Sequence, residues 1–198
     1  MKPTNKLMKR LSLYLFLLLF TLQTPSWADD ISDFQIEGMS IGDSLLDYFS
    51  EKEIIKYDID SNEDLKFHRV LLLSSSSSLP QNYDGMHIYI KPNDKEYIIH
   101  GIEAMLDFEN DISNCKIKKK EILNEISGMF KNSKRVAENE NHSQDKTGKS
   151  KVFRNFISIS PSSKYYELEL GCYDWSEEMG FVDHFRMSIV TDEVNDTL

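Results

Sequence analysis

The side chains with the right chemistry for a site are five histidines, a serine set between glycines, and a run of acids. No two of His68, His87, His100, His142 and His184 form an H-E-x-x-H or an i, i+4 helical pair. His87 and His184 sit between apolar neighbours in candidate strands, so both are expected to face away from the core. His100 alternates with Ile98 and Ile102 and reads as a buried, hydrogen-bonded residue. Two of these histidines with Asp107, Asp183 or Glu103 would supply the groups of a metal or acid–base site, although sheets also carry such residues on their wet face without chemistry. Gly38-Met39-Ser40-Ile41-Gly42 has the spacing of a nucleophile elbow. A serine ahead of an apolar stripe also caps a helix, and Ser40 is assigned that simpler role. Asp58-Ile59-Asp60-Ser61-Asn62-Glu63-Asp64-Leu65 begins like a calcium loop. Glu63 stands where glycine is required, however, and Arg69 where the bidentate Glu is required, so an acidic solvated loop is expected. The eight glycines form no phosphate-binding cluster. No catalytic, cofactor-binding or metal residue is assigned.

Tyr165, Tyr166, Tyr173 and Trp175 lie close in sequence to Glu167, Glu169, Asp174, Glu177 and Glu178. Aromatics beside carboxylates suit a cationic or peptide partner. The plainer alternative is one inward Tyr, one outward Tyr and a polar loop.

The N-terminus has the three parts of an export signal. Lys2, Lys6, Lys9 and Arg10 form a basic region, Leu11 to Leu22 an apolar one, and Pro25 precedes Ser26-Trp27-Ala28. Cleavage is expected after Ala28, with no lipidated cysteine near it and no membrane-spanning segment after it. Removing residues 1–28 takes away four basic residues and no acid. That leaves 19 Lys+Arg against 33 Asp+Glu, a net of −14 over 170 residues. Such a chain is repelled by phosphate backbones, which excludes general nucleic-acid binding.

Two cysteines in an exported chain point to one disulfide. Ile112, Cys115, Ile122, Ile126 and Met129 share one helical stripe, and Cys172 ends a strand on the side of Tyr166, Leu168 and Leu170. Both thiols should face the core, and a Cys115–Cys172 bond between helix and sheet is expected.

These residues need a scaffold, and the patterning supplies one. A short strand over 33–37 leads into a helix with the stripe Ile41, Leu45, Tyr48 and Phe49. Ser50-Glu51-Lys52-Glu53 is a capping box for a second, short helix. Strands are expected at 67–73, 86–90, 97–108, 151–160, 165–172 and 181–191. A helix from Cys115 to about Lys131 separates the first three from the last three. Ser74 to Ser78 reads as a mobile loop, and Pro161-Ser162-Ser163 as a turn. Residues 132–149 read as a flexible polar excursion, and 192–198 as a frayed acidic tail. The expected class is α+β: one domain over 29–191, an antiparallel sheet of five or six strands with two main helices packed on one face.

Phe34-Gln35-Ile36-Glu37-Gly38-Met39-Ser40-Ile41-Gly42-Asp43-Ser44-Leu45-Leu46, directly after a signal peptide, resembles the start of a group of small exported bacterial proteins with no assigned function. Tyr83-Asp84-Gly85-Met86, Lys95-Glu96-Tyr97-Ile98-Ile99 and Cys115-Lys116-Ile117-Lys118-Lys119-Lys120-Glu121-Ile122 look similar too, so the resemblance covers most of the mature chain. It implies an exported location and little chemistry. Ile36-Glu37-Gly38-Met39-Ser40 ahead of a helix pair is also similar to the small outer-membrane assembly lipoproteins of the SmpA/BamE type, which have two helices followed by a small antiparallel sheet. This chain lacks their lipidated Cys and has far more strand after residue 110, so no functional residue carries over. The expectation is an exported, periplasmic or extracellular, non-catalytic binding or envelope-assembly protein. It would need no cofactor and would have a protein partner in the cell envelope. The alternative is a secreted or periplasmic hydrolase with an unrecognised active site.

Overall fold

Period-two alternation of apolar and polar residues builds one sheet, and it is larger than the sequence suggests. The computed structural model describes residues 31, 34–60, 65–75, 80–131, 133–160 and 165–197. The expected signal segment and cleavage site, residues 61–64 of the calcium-like stretch, 76–79 of the serine run and the turn expected at 161–163 lie outside the described residues. The elements are α1 (Glu51–Tyr57), β1 (His68–Leu73), β2 (Gly85–Ile90), β3 (Gly101–Glu109), α2 (Ile112–Met129), β4 (Lys134–Asn141), β5 (Lys151–Ile159), β6 (Tyr166–Asp174), β7 (Asp183–Thr191) and α3 (Asp192–Asn195).

The sheet has seven strands, not five or six, in the order β1-β2-β3-β7-β6-β5-β4, and every pair is antiparallel. The extra strand is β4, inside the stretch expected to be a flexible excursion. All eight of its residues are exposed, so no apolar alternation announces it. Its strand character comes from pairing with β5, where Lys134 faces Ser158 and Asn141 faces Lys151. The rest of the excursion is a turn built on Asp145. That carboxylate accepts from the Ser150 amide (2.9 Å), the Ser150 hydroxyl (2.6 Å), the Thr147 amide (2.8 Å) and the Ser176 hydroxyl (3.0 Å).

The helix expected after Ser40 is also absent. A turn with Gly42 at φ 94° leads into a single 3-10 turn, Leu45–Asp47, with Ser44 as its N-cap. The backbone is diverted to the segment ahead of β3. Gly42 N donates to Ile99 O (2.9 Å), Ile99 N to Asp43 O (2.9 Å) and Leu45 N to Tyr97 O (2.9 Å). Leu45 and Phe49 still reach the core. The expected capping box of α1 is present at Ser50 and Glu53, and Asp111 caps α2.

Two antiparallel meanders, β1–β3 and β4–β7, meet at the β3–β7 pair. Helix α2 carries the chain from β3 to the far edge. Its 18 residues span about 27 Å, enough to cross the roughly 19 Å of four strand spacings. It lies over β3, β7 and β6. The N-terminal segment lies on the same core, where Phe34 meets Phe130 with ring centroids 6.1 Å apart. Between these elements and the sheet lie Met86, Ile88, Ile102, Leu168, Leu170, Phe185 and Ile189, all buried. Cys115 and Cys172 are bonded there with Cα atoms 6.0 Å apart, tying helix to sheet. Closing a loop of 57 residues stabilises the fold by roughly 4 kcal/mol in the chain-entropy model.

The tail from Asp192 is likewise ordered further than expected. It forms α3, and Val194 is fully buried with Phe67, Tyr89 and Val190 in a small second core. No helix of the described residues is long and apolar enough to cross a membrane.

Candidate functional site

Every strand residue that alternates with the core points to the second face, which α2 leaves open. Strand register puts His87 opposite Glu103, Glu103 opposite Ser188, and Ser188 opposite Glu169. One step along, Arg186, Gly171 and Arg154 lie abreast on β7, β6 and β5. The result is a row of alternating basic and acidic side chains across six strands. His87 Nδ1 meets Glu103 Oε1 at 2.9 Å, and Arg186 Nη1 lies 3.6 Å from Glu103 Oε2. Arg186 Nη2 donates to Glu169 Oε1 (2.9 Å), and Arg154 pairs with both Glu169 (3.3 Å) and Glu140. The Tyr173 hydroxyl also donates to Glu169 Oε1, at 3.0 Å.

Gly171 makes this crossing possible. A Cβ there would lie 2.9 Å from the Tyr173 ring and 3.1 Å from Glu169 Oε1. Without it, the ring and the carboxylate meet above the strand, and Arg186 covers the ring with its guanidinium 4.6 Å from the centroid. Burial alone would raise the Glu103 carboxyl, but the His87 hydrogen bond and the charge of Arg186 outweigh it and hold the pKa below its usual value. Burial lowers Arg186, but the surrounding Glu169, Tyr173 and Glu103 raise it overall. Each carboxylate of the ladder thus has a cation, while among the described residues Arg154 Nε and Arg186 Nε are buried without a hydrogen-bond partner.

One end of the open face is closed by α3 over Phe67, Tyr89 and Val190. At the other end, an aromatic group stays in contact with solvent. Tyr173 and His184 stack at 4.8 Å with planes 10° apart. His142 packs on Trp175 at 4.3 Å, and Phe181 packs on Trp175 at 4.8 Å. Three chain segments assemble it: the turn after β4, the end of β6 and the start of β7. Each is fixed by a carboxylate. Asp145 ties the turn carrying His142 to Ser176, and Asp183 accepts from the Trp175 amide at 2.7 Å. Burial holds both His142 and His184 below the ordinary imidazole pKa; Arg154 and Arg186 add to the effect at His142, and Arg186 adds to it at His184. His184 Nδ1 lies 3.0 Å from Val182 O and 3.4 Å from Trp175 Nε1. A carbonyl only accepts and an indole N–H only donates, so Nδ1 serves one of these two contacts in each tautomer: it donates to Val182 O when protonated and accepts from Trp175 Nε1 when not.

The residues singled out from sequence separate in space. His87 and His184 do face away from the core, and Glu103 joins His87. Asp107 lies opposite His184 across the β3–β7 pair and Asp183 precedes it on β7, each close enough to act on its charge. Among the described residues, no group of three or more His, Cys, Asp or Glu is placed to hold a metal ion. His68 contacts Asp58 at 3.1 Å, and Arg69 holds Asp60 through two hydrogen bonds of 2.9 and 3.0 Å, so these two acids of the calcium-like loop are spent on β1. His100 is half-buried against the Phe67 ring. Ser40 is buried and donates to Phe34 O (3.2 Å), with no helix behind it. Tyr173 and Trp175 join the aromatic group, whereas Tyr166 lies in the main core and Tyr165 bonds to Glu167. Arg154, Arg186 and Phe181 were not anticipated. Arg154 and Arg186 lie one place from Phe153 and Phe185, and alternation marks them as a facing set on the open side.

No protein-family model matches the chain, and no curated protein and no solved structure matches it either.

Proposed function

We propose that this chain is an exported, non-catalytic binding module of the cell envelope, and that it holds a protein partner at the aromatic end of its open face. The observation that carries the reading is Phe181, which is 57% exposed yet backed by Trp175 and, behind it, by His142 and the Tyr173–His184 stack. Val182 beside it is exposed as well. Large aromatics held rigid on a sheet lose little entropy on binding and are common anchors of protein interfaces. Glu177 and Glu178 lie on the 3-10 turn between Trp175 and Phe181, and Glu178 is paired with Lys149. The partner therefore has an apolar centre and a basic rim. The buried disulfide and the signal-like N-terminus support a destination in an oxidising compartment.

The test is affinity. A partner captured from envelope extract on the wild-type protein is purified and titrated against wild type and Phe181→Asp. Binding at least about tenfold weaker in the variant, and weakening further with salt, is expected. Equal affinity of the two proteins would overturn the reading.

A further inference from the structure

The two edges of the sheet are finished differently. β1 is capped by its own chain. Ile59 N donates to Arg69 O (3.0 Å), Arg69 N donates to Asp60 Oδ2 (2.8 Å), and Asp58 bridges to Val70. β4, the opposite edge, has no such cover. All eight of its residues are exposed, and among the described residues no backbone hydrogen bond reaches its outer side. Open edges invite another strand, and proteins commonly blunt them with charge.

Here the charge is ordered, not scattered. Lys134, Val136 and Glu138 alternate along β4 on the face of the ion ladder, in register with Ser158, Phe156 and Arg154 of β5. Arg135 and Glu140 are already engaged, Arg135 with Phe130 O (2.8 Å) and Glu140 with Arg154. Among the described residues Lys134 and Glu138 have no ion-pair partner. Val136 between them is 39% exposed. A basic residue, an apolar residue and an acid in that order are complementary to the same three residues read backwards.

The geometry points to β4 as an isologous interface, with a second copy of this chain as its occupant. Antiparallel pairing about a two-fold axis through Val136 sets Lys134 of each copy opposite Glu138 of the other, and Val136 opposite Val136. A perpendicular two-fold axis keeps each face of the sheet on the same side, so the open faces of both copies continue into one another. Parallel pairing in register would instead set like charge against like. A foreign strand has no such built-in match.

Sedimentation velocity on the protein recovered from cells expressing the full chain tests this, over concentrations up to about 1 mM. Wild type dimerises. Lys134→Glu alone and Glu138→Lys alone each raise the dissociation constant by about tenfold or more, since two cross-strand pairs turn repulsive. An equal mixture of the two variants recovers a dimer, because every 134–138 contact in the mixed pair is again opposite in sign. Phe181→Asp leaves the dimer unchanged, which separates this interface from the partner surface. A wild type that stays monomeric, variants that dimerise as wild type does, or a mixture without recovery would each overturn the assignment.

Discussion

Ile117 and Phe181 are both 57% exposed, yet they sit in different surroundings. Ile117 lies on α2 among Lys116, Lys118, Lys119 and Lys120, on a helix whose buried side holds Cys115 and Ile126. Single exposed aliphatics of that kind are ordinary on protein surfaces. Phe181 is the outermost ring of a packed aromatic group. Exposure alone therefore does not mark a site; what stands behind the exposed residue does. The same contrast runs through the sheet. The face under α2 is apolar and closed, whereas the other face carries an ion ladder with one aromatic end covered by α3 and the other uncovered.

The largest effect expected lies where the two faces meet within one strand. Phe185 faces the closed core opposite Cys172, and His184 faces the open side opposite Tyr173. Phe185→Ala removes a fully buried ring and should cost about 3–5 kcal/mol in a denaturant melt. His184→Ala should cost less than half of that, since its ring is only half-buried. Equal losses would mean that the open face is as much a core as the closed one.

Arg186 comes next. Arg186→Met leaves Glu103 and Glu169 without their shared cation and should cost about 2–3 kcal/mol. Adding Glu169→Leu removes one of the two carboxylates that shared Arg186, leaving Arg154 to pair with Glu140, so part of the loss should return. If the second change deepened the loss by its full single-site cost, the ladder would not be a coupled unit.

Acid should act first at the half-buried imidazoles, His184 and His142 at the aromatic end and His100 against Phe67. Burial lowers the folded pKa of His184 and His142, so below an unfolded value of about 6.5 the unfolded chain binds more protons. Stability then rises with pH in that window and is lost as pH falls through and below it. Glu103 works lower, since its folded pKa is depressed. Its contribution is complete above about pH 4.3 and is lost as pH falls through the folded value. Replacing His184 by Phe should flatten the limb between about pH 5 and 7 and leave the more acidic one in place. An unchanged limb would show that His184 titrates normally and is not held neutral by the stack.

Much of this scaffold was legible because its strands are buried on one side. Met86-His87-Ile88 and Phe185-Arg186-Met187 alternate, and the Cys115–Cys172 register followed from the helical stripe and the last residues of β6. β4 was not legible. Neither of its faces is buried, so its hydrogen bonds to β5 hold it without any hydrophobic signature. Ile41, Leu45, Tyr48 and Phe49 misled in the opposite sense: their helical spacing is real, but the backbone over 42–45 bonds to residues 97 and 99, which leaves a single 3-10 turn over Leu45–Asp47. Val194 was hidden by the acids around it. The ladder needed both register and face, and the sequence supplies face but not which strands are neighbours.

The most direct measurement places a photo-crosslinking residue at position 181 or at position 117 of the full chain and follows capture in the living envelope. The two sites have equal exposure on opposite sides of the molecule, and substitution at either should leave the melting curve within about 0.5 kcal/mol of wild type. One discrete crosslinked species from position 181 and none from position 117 is the predicted result. Equal capture at both positions, or capture from 117 alone, would contradict the assignment of the aromatic end as the binding surface.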